Sequence, residues 1–453
     1  MSSLALVFAV SIGLTPSDLH RLRSVREVAI RPDGSAILFS ELDSSGPGQP
    51  ESKLAILDCA TGSVRPFRES GLSGSAPRWS PDGSRVALVG VQDGAFGLVV
   101  TDARGGGERL VAKVERTNHP LPSPGDALDW SPDSRSLVFV SAVPGPESEE
   151  ATGDPVVIRR YLYKPTASEG QTRFNDNRRT HLFLVDATGG EPPRQLTDGP
   201  TYEHSVSFSP KGDEILFVSN RDRDPDRFFN YDVFVLAVKD ASVRRLTRTE
   251  NAEYRPQWSP DGSAIVYEGT SRGLTSSETT MEDTHVWIMN ADGSGRRELS
   301  GLDNRQSEPA WGRDGKWIYF TVEERGTEAL YRVRPSGGEA EAVIRERGRV
   351  GSFSLSEGGD IAYAFHSADD LPQLYLREAS GGSHKLTSPN REVLAATTLA
   401  ETLPLEFLSF DGKKVEAFLT LPPVKGSARV PLIVVLKGGP HSQSGPELNP
   451  RAQ

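Results

Sequence analysis

The 453-residue chain contains a single cysteine, Cys59. One thiol excludes an intrachain disulfide and any cysteine-based zinc cluster, so burial and hydrogen bonding alone must hold the fold. Cys59 itself reads as a small core residue. Histidine is scarce as well: the 8 present include no His-x-His or His-Glu-x-x-His spacing, and no metal or cofactor is expected. Long apolar runs are missing. The segment from Leu4 to Leu14 is far too short to cross a bilayer, so no membrane span is expected. It also lacks the basic residue that opens a secretory signal, although Ala9-Val10-Ser11 offers small residues at a cleavage point. A cytoplasmic location is expected, with a periplasmic or secreted one as the alternative if residues 1–14 act as a signal. A further reading is that the alternation in Leu4-Ala5-Leu6-Val7-Phe8 forms an extra strand. Finally, no basic stripe offsets the net charge of −11, which excludes nucleic acid as a partner.

Turn formers are abundant, with 44 Gly and 33 Pro spread along the chain, as an all-β protein requires. They are organised by one motif that returns seven times at intervals of roughly 45 to 80 residues. The clearest copies are Trp79-Ser80-Pro81-Asp82-Gly83-Ser84, Trp130-Ser131-Pro132-Asp133-Ser134 and Trp258-Ser259-Pro260-Asp261-Gly262-Ser263. Weaker copies are Arg31-Pro32-Asp33-Gly34, Phe208-Ser209-Pro210-Lys211-Gly212, Trp311-Gly312-Arg313-Asp314-Gly315 and Phe353-Ser354-Leu355-Ser356-Glu357-Gly358. Each is followed by a β-rich run such as Ala36-Ile37-Leu38-Phe39-Ser40, then by a third strand such as His181 to Asp186. A short fourth strand such as Arg245-Leu246-Thr247 closes most units.

The unit is therefore a four-stranded antiparallel meander. Its Asp-Gly pair supplies the positive φ of a tight turn, and the Trp or Phe before it supplies apolar surface for packing between units. Such units cannot bury two faces alone and stack around an axis. The expected fold class is all-β: a seven-bladed β-propeller of four-stranded antiparallel blades over residues 15–390, followed by the first strands of a truncated α/β-hydrolase domain. Between Asp133 and Lys211 the spacing grows by roughly half, which places a long excursion around Ser141 to Thr180. No strand is left over for exchange between the first and last blades, so the ring is expected to close by packing, or with Leu4 to Phe8 as a latch.

Beyond Thr387 the rhythm stops. Residues 391–403 read as a connector, and residues 404–453 change pattern. Leu405 to Phe410, the Asp411-Gly412 turn and Val415 to Leu419 form a hairpin, and Val430-Pro431-Leu432-Ile433-Val434-Val435-Leu436 reads as a strand buried on both faces. Directly after it comes Lys437-Gly438-Gly439-Pro440-His441. A buried strand running into Gly438, Gly439, Pro440 and His441 has the character of an oxyanion loop, where glycines let backbone N–H groups approach a developing negative charge.

In this order of parts the chain resembles the prolyl oligopeptidase family of serine peptidases, in its acylaminoacyl-peptidase-like branch, over roughly residues 14 to 450. The supporting stretches are Leu14-Thr15-Pro16-Ser17-Asp18-Leu19, Tyr161-Leu162-Tyr163-Lys164, His181 to Asp186, Val218-Ser219-Asn220-Arg221 and Val430 to His441. Lys437 stands where the family usually has His. The resemblance implies a Ser nucleophile on a Gly-x-Ser-x-Gly elbow, then Asp, then His, all after the glycine loop. The chain is read as having no such elbow and as a truncated frame or fragment, hence with no catalytic residues of its own. Its expected role is the substrate-gating propeller of a serine exopeptidase or oligopeptidase acting on peptides, inactive as this chain alone; the oligomeric state is not indicated. The alternative is a stand-alone protein-binding propeller similar to the TolB-like envelope propellers. Glu147-Ser148-Glu149-Glu150 reads as a solvated loop rather than as the paired-glutamate anchor of the related dipeptidyl peptidases.

Overall fold

The turns set the local geometry. In the computed structural model, which describes residues 13–46, 50–68, 74–119, 123–163, 174–273, 283–423, 430–436 and 443–450, Asp261 Oδ1 accepts the Ser259 hydroxyl at 2.6 Å and the Ser263 amide at 3.0 Å. Those donors favour the ionised carboxyl and hold it down, at about 2. Gly262 follows at φ +73°, and Gly34, Gly83, Gly212 and Gly315 take the same left-handed conformation in their turns. In the seventh repeat the left-handed residue is Gly359 rather than Gly358, one position later than the motif suggests.

Five repeats form separate four-stranded antiparallel blades in simple chain order. Blade one comprises Arg23–Ile30, Ala36–Asp43, Glu51–Asp58 and Val64–Pro66; blade two Gly74–Trp79, Arg85–Gln92, Ala95–Asp102 and Arg109–Lys113. Blade three comprises Leu128–Trp130, Ser136–Val143, Arg179–Asp186 and Arg194–Gln195; blade four Glu203–Phe208, Glu214–Ser219, Asp232–Ala237 and Val243–Arg245. Blade five comprises Glu253–Trp258, Ala264–Thr270, Thr284–Asn290 and Arg297–Glu298.

The expectation of seven separate blades is corrected here. The propeller has five four-stranded blades, and the sixth and seventh repeats are joined in one eight-stranded sheet. In the sixth repeat, Glu341–Ile344 pairs only with Leu330 to Arg332 of the third strand, Thr327–Val333. The free start of that strand then pairs in parallel with Gly348–Leu355, the first strand of the seventh repeat, through Glu328 and Arg349. An ion pair of 2.9 Å between the same two side chains supports the bridge. A connection of only three residues, 345–347, delivers the next strand to that unpaired edge.

Packing between repeats supplies the core. Leu38, Leu54 and Phe67 of blade one meet Val86, Leu88 and Val99 of blade two in one buried cluster. Each such side chain contributes about 1.5–3 kcal/mol when fully buried. The motif tryptophans tie blades together as expected: the Trp79 indole N–H donates to the Ala29 carbonyl and that of Trp130 to the Arg78 carbonyl, each at 3.0 Å.

Among the described residues, closure uses no exchanged strand. Ser352 and Ser354 hydroxyls accept the Val28 and Ile30 amides at 3.2 Å, and Asn390 accepts the Arg23 amide at 2.7 Å and donates to the Arg23 carbonyl at 2.8 Å. Val25, Val28 and Ile30 pack there against Ala362, Ala364 and Leu374. The strand proposed for Leu4 to Phe8 lies outside the described residues.

After the last repeat, Arg391–Ala395 forms one helical turn, and Thr402–Leu408 pairs with Lys414–Thr420 as the expected hairpin. The hydrolase-like strand does not form. Val430 to Leu436 has no strand pairing, and Ile433, Val435 and Leu436 are 85–87 % exposed. A strand apolar on both faces needs neighbours on both edges, and the described residues place none beside it. No helix among the described residues is long and apolar enough to cross a membrane.

Candidate functional site

In a meander that runs from first to fourth strand, the turns between second and third strands share one face with the links to the next repeat. The chain leaves the propeller after Ser383–Lys385 on that face. Residues 443–450, beyond the hairpin, come back to it. Gln443 accepts the Gly326 amide at 2.7 Å and donates to the Thr327 carbonyl at 2.8 Å, at the turn between second and third strands of the sixth repeat. Leu448, 2 % exposed, donates its amide to the Ser367 carbonyl at 2.9 Å, and its carbonyl lies 3.0 Å from His366 Nε2. Burial pushes the His366 imidazole below its ordinary value. A side chain at Gly326, φ +75°, would meet the Phe418 ring at 2.5 Å and the Ser444 carbonyl at 2.7 Å, so glycine is required for the hairpin and the segment after it to seat there. Residues 443–450 are thereby pinned directly after the glycine loop.

Gly438, Gly439, Pro440 and His441, like Lys437, lie outside the described residues. The expected absence of a Gly-x-Ser-x-Gly string is corrected, because Gly269-Thr270-Ser271-Arg272-Gly273 has that spelling. Its context is not an elbow. Ser271 comes just after a blade-five strand, and its hydroxyl donates to Asp283 Oδ2 at 2.9 Å, while His285 Nε2 lies 3.6 Å from the other oxygen of the same carboxylate. The carboxylate stands between hydroxyl and imidazole, whereas activation of a serine needs the imidazole in the middle. His285 Nδ1 is engaged separately with Glu298 at 2.6 Å.

Two glutamates of the excursion, Glu147 and Glu150, are paired. Arg179 donates to Glu147 at 2.8 Å and Arg159 lies 2.7 Å from Glu150, on and beside the short helix Ser148–Thr152. Beside them, Arg160 binds Asp226 and donates to the Tyr202 hydroxyl at 2.7 Å, which fixes the excursion to blade four.

A second feature of the same region was not read from the sequence. First strands of neighbouring repeats lie beside one another from the seventh repeat through blades one to five to the sixth repeat. Those of blades two, four and five and of the sixth repeat carry a β-bulge at equivalent places, with Ala76, Ser205, Arg255 and Glu308 at positive φ. Around these bulges stands a collar of charge: Arg78 binds Asp126, while Arg255 lies 2.9 Å from Glu268 and 3.6 Å from Glu308. The side chains of Asp126 and Glu308 keep 43 % and 42 % of their surface open. Burial pushes Glu308 up despite Arg255, and pushes Asp129 up to about 7 against hydrogen bonds from the Phe208 and Trp130 amides. The signal was Pro77, Pro256 and Pro309, each two residues before the motif tryptophan, since proline inside a strand marks a bulge.

No family model matches the sequence. Among curated proteins, the chain is 24 % identical over 466 residues to the uncharacterized peptidase YuxL of Bacillus subtilis, covering 95 % of this chain and 67 % of that one. It is 21 % identical over 455 residues to dipeptidyl-peptidase 5 of Porphyromonas gingivalis, covering 95 % and 64 %. Among solved structures, an acylaminoacyl peptidase in complex with Z-Gly-Gly-Phe-chloromethyl ketone superposes with a TM-score of 0.75 at 19 % identity, covering 96 % of this chain and 63 % of that one. The homologues and structural neighbours are β-propeller serine peptidases of the prolyl oligopeptidase family, acylaminoacyl-peptidase-like in kind. The chain spans about two thirds of the length of these relatives. A shorter similarity, 32 % over 130 residues, joins 29 % of the chain to 26 % of the Tol-Pal system protein TolB of Anaeromyxobacter dehalogenans.

Proposed function

We propose that residues 15–390 form the substrate-gating propeller of a serine-type exopeptidase or oligopeptidase, joined through residues 391–403 to the opening part of a peptidase domain at 404–453. One observation carries the reading: the segment after Gly438 to His441 is hydrogen-bonded to the propeller turns at Gly326, Thr327 and Ser367, on the face where the chain leaves the last repeat. A propeller covering the peptidase domain on that face would exclude water and large substrates from it. Residues 1–453 by themselves supply no activated serine at Ser271, whose proton is given to Asp283.

Purified residues 1–453 are therefore expected to leave fluorogenic acyl-amino-acid and short-peptide substrates intact and to take no label from a fluorophosphonate. Turnover by the pure chain would overturn that part of the proposal. The TolB similarity favours a second reading, a protein-binding propeller. Deleting residues 404–453 separates the two: a binding module keeps its partner without them, whereas the gating propeller is left with its surface at Gly326 uncovered and no peptidase segment to gate.

A further inference from the structure

One polar junction recurs between repeats. A Thr or Ser after the fourth strand faces a residue of its own third strand and one at the start of the next repeat. Between blades three and four these are Thr197, His181 and Glu203, with His181 Nδ1 2.6 Å from Glu203 Oε2 and the Thr197 hydroxyl accepting the Leu182 amide at 3.0 Å. Between blade five and the sixth repeat they are Ser300, Thr284 and Gln306, with the Thr284 hydroxyl donating to the Gln306 carbonyl at 2.7 Å and Ser300 Oγ 3.2 Å from Gln306 Oε1. In the seventh repeat Thr387 donates to Gln373 Oε1 at 3.0 Å and accepts the Leu374 amide at 3.0 Å. In all three, a donor stands opposite an acceptor.

The junction between blades four and five does not balance in that way. Thr247 Oγ1 accepts the Val233 amide at 2.9 Å and lies 2.9 Å from both Asp232 Oδ1 and Glu253 Oε2. Asp232 is 1 % exposed and Glu253 0 %. A hydroxyl has one proton to donate and an ionised carboxylate has none. Thr247 therefore satisfies one carboxylate, and the other is a partner at hydrogen-bond distance only if it carries a proton and donates it to the hydroxyl oxygen.

We propose that Asp232 and Glu253 share one proton through Thr247, a latch between blades four and five that loosens when the proton leaves. Two cations face the pair. Arg245 binds Asp232, and Arg296 approaches Glu253 Oε1 at 3.7 Å while its Nε donates to the Tyr267 hydroxyl at 2.6 Å. Thr249 adds a hydroxyl to Glu253 Oε1 at 2.7 Å and its amide to Asp232. Tyr254 and Tyr267 are held neutral by burial, and Glu268, on the next strand of blade five, is occupied by Arg255. Arg245 binds Asp232 directly, whereas Arg296 stays 3.7 Å from Glu253, outside hydrogen-bond distance, so the buried pair has only one close cation.

Burial pushes both carboxyls up, Glu253 to about 7 from its ordinary 4.5. The folded state then holds a proton that the unfolded chain has released. The stabilisation is complete below about 4.5 and is lost as pH rises through about 7.

Infrared difference spectra of the full chain across about pH 5 to 8, with thermal unfolding over the same range, test the latch. The wild type is expected to lose a buried carboxylic-acid C=O band as pH rises. Glu253→Gln and Asp232→Asn should each remove that band while leaving the one from Asp129. Each should also flatten the pH dependence of the unfolding constant by about tenfold per pH unit, one proton's worth. Either variant reads the same proton, so a failure of one to fold leaves the measurement intact. Retention of the wild-type band and slope in both variants would overturn the proposal. Loss in only one would assign the proton to that residue alone and refute the sharing through Thr247.

Discussion

The repeats and the segment after them contain similar apolar runs and treat them in opposite ways. Ile215, Leu216, Phe217 and Val218 of blade four are all 0 % exposed, whereas Val430 to Leu436 lies open and unpaired. Both read as strands, since hydrophobicity and β-branching are alike. What separates them is company. Each blade finds a neighbour for both faces around the ring, while the hairpin Thr402–Leu408 with Lys414–Thr420 has one paired edge and leaves Leu405, Phe407 and Phe410 exposed. Burial is thus a property of the packing partner as much as of the run itself.

Point mutations can break that comparison. Phe320→Ala, within the cluster of Val286, Trp311 and Tyr331, should cost about 3–5 kcal/mol in chemical denaturation, whereas Phe410→Ala in the hairpin turn should stay within about 0.5 kcal/mol. Equal losses would show that the hairpin is as tightly packed as the blades. A pH titration probes the polar interior next. Burial pushes His204 down to about 4, so the unfolded chain binds a proton there that the folded chain refuses. Stability should fall as pH drops from about 6.5 toward 4, by at most about 3 kcal/mol, and His204→Phe should flatten that limb of the curve.

A smaller effect sharpens the boundary between the two regions. Gly326→Ala meets Phe418 and the Ser444 carbonyl at positive φ, a strain of about 1–2 kcal/mol. Limited proteolysis should then cut residues 404–450 faster while leaving the blades intact; simultaneous cleavage of both would mean that the two regions unfold together. Smallest of all is the pair Arg78 and Asp126. Being half open to water, it should contribute about 0–1 kcal/mol, so Asp126→Asn is expected to shift the melting temperature little and less still at high salt.

Much of the scaffold was legible because it depends on local chemistry repeated many times. Asp82, Asp261 and Gly262 form the turns their residue types require, and Trp79 and Trp130 bridge neighbouring blades. The hairpin around Asp411-Gly412 was equally readable, since its turn and alternation are local. The joining of the last two repeats was not. It depends on how far Glu341–Ile344 extends along its neighbour, a matter of register that no composition encodes. The failed strand at Val430 to Leu436 shows the same limit, because its periodicity says nothing about which edges are present.

Taken alone, the sequence determined the repeating meander, its turns, the hairpin and the resemblance to β-propeller peptidases, because each depends on residue types within a few positions of one another. Only the tertiary structure decided that five blades stand separately, that Gly326 receives Gln443 and Ser444, and that Asp232 and Glu253 meet across Thr247. Those contacts join residues that the chain keeps apart, and their energies depend on distance, burial and the number of protons available, which exist only once the ring has formed.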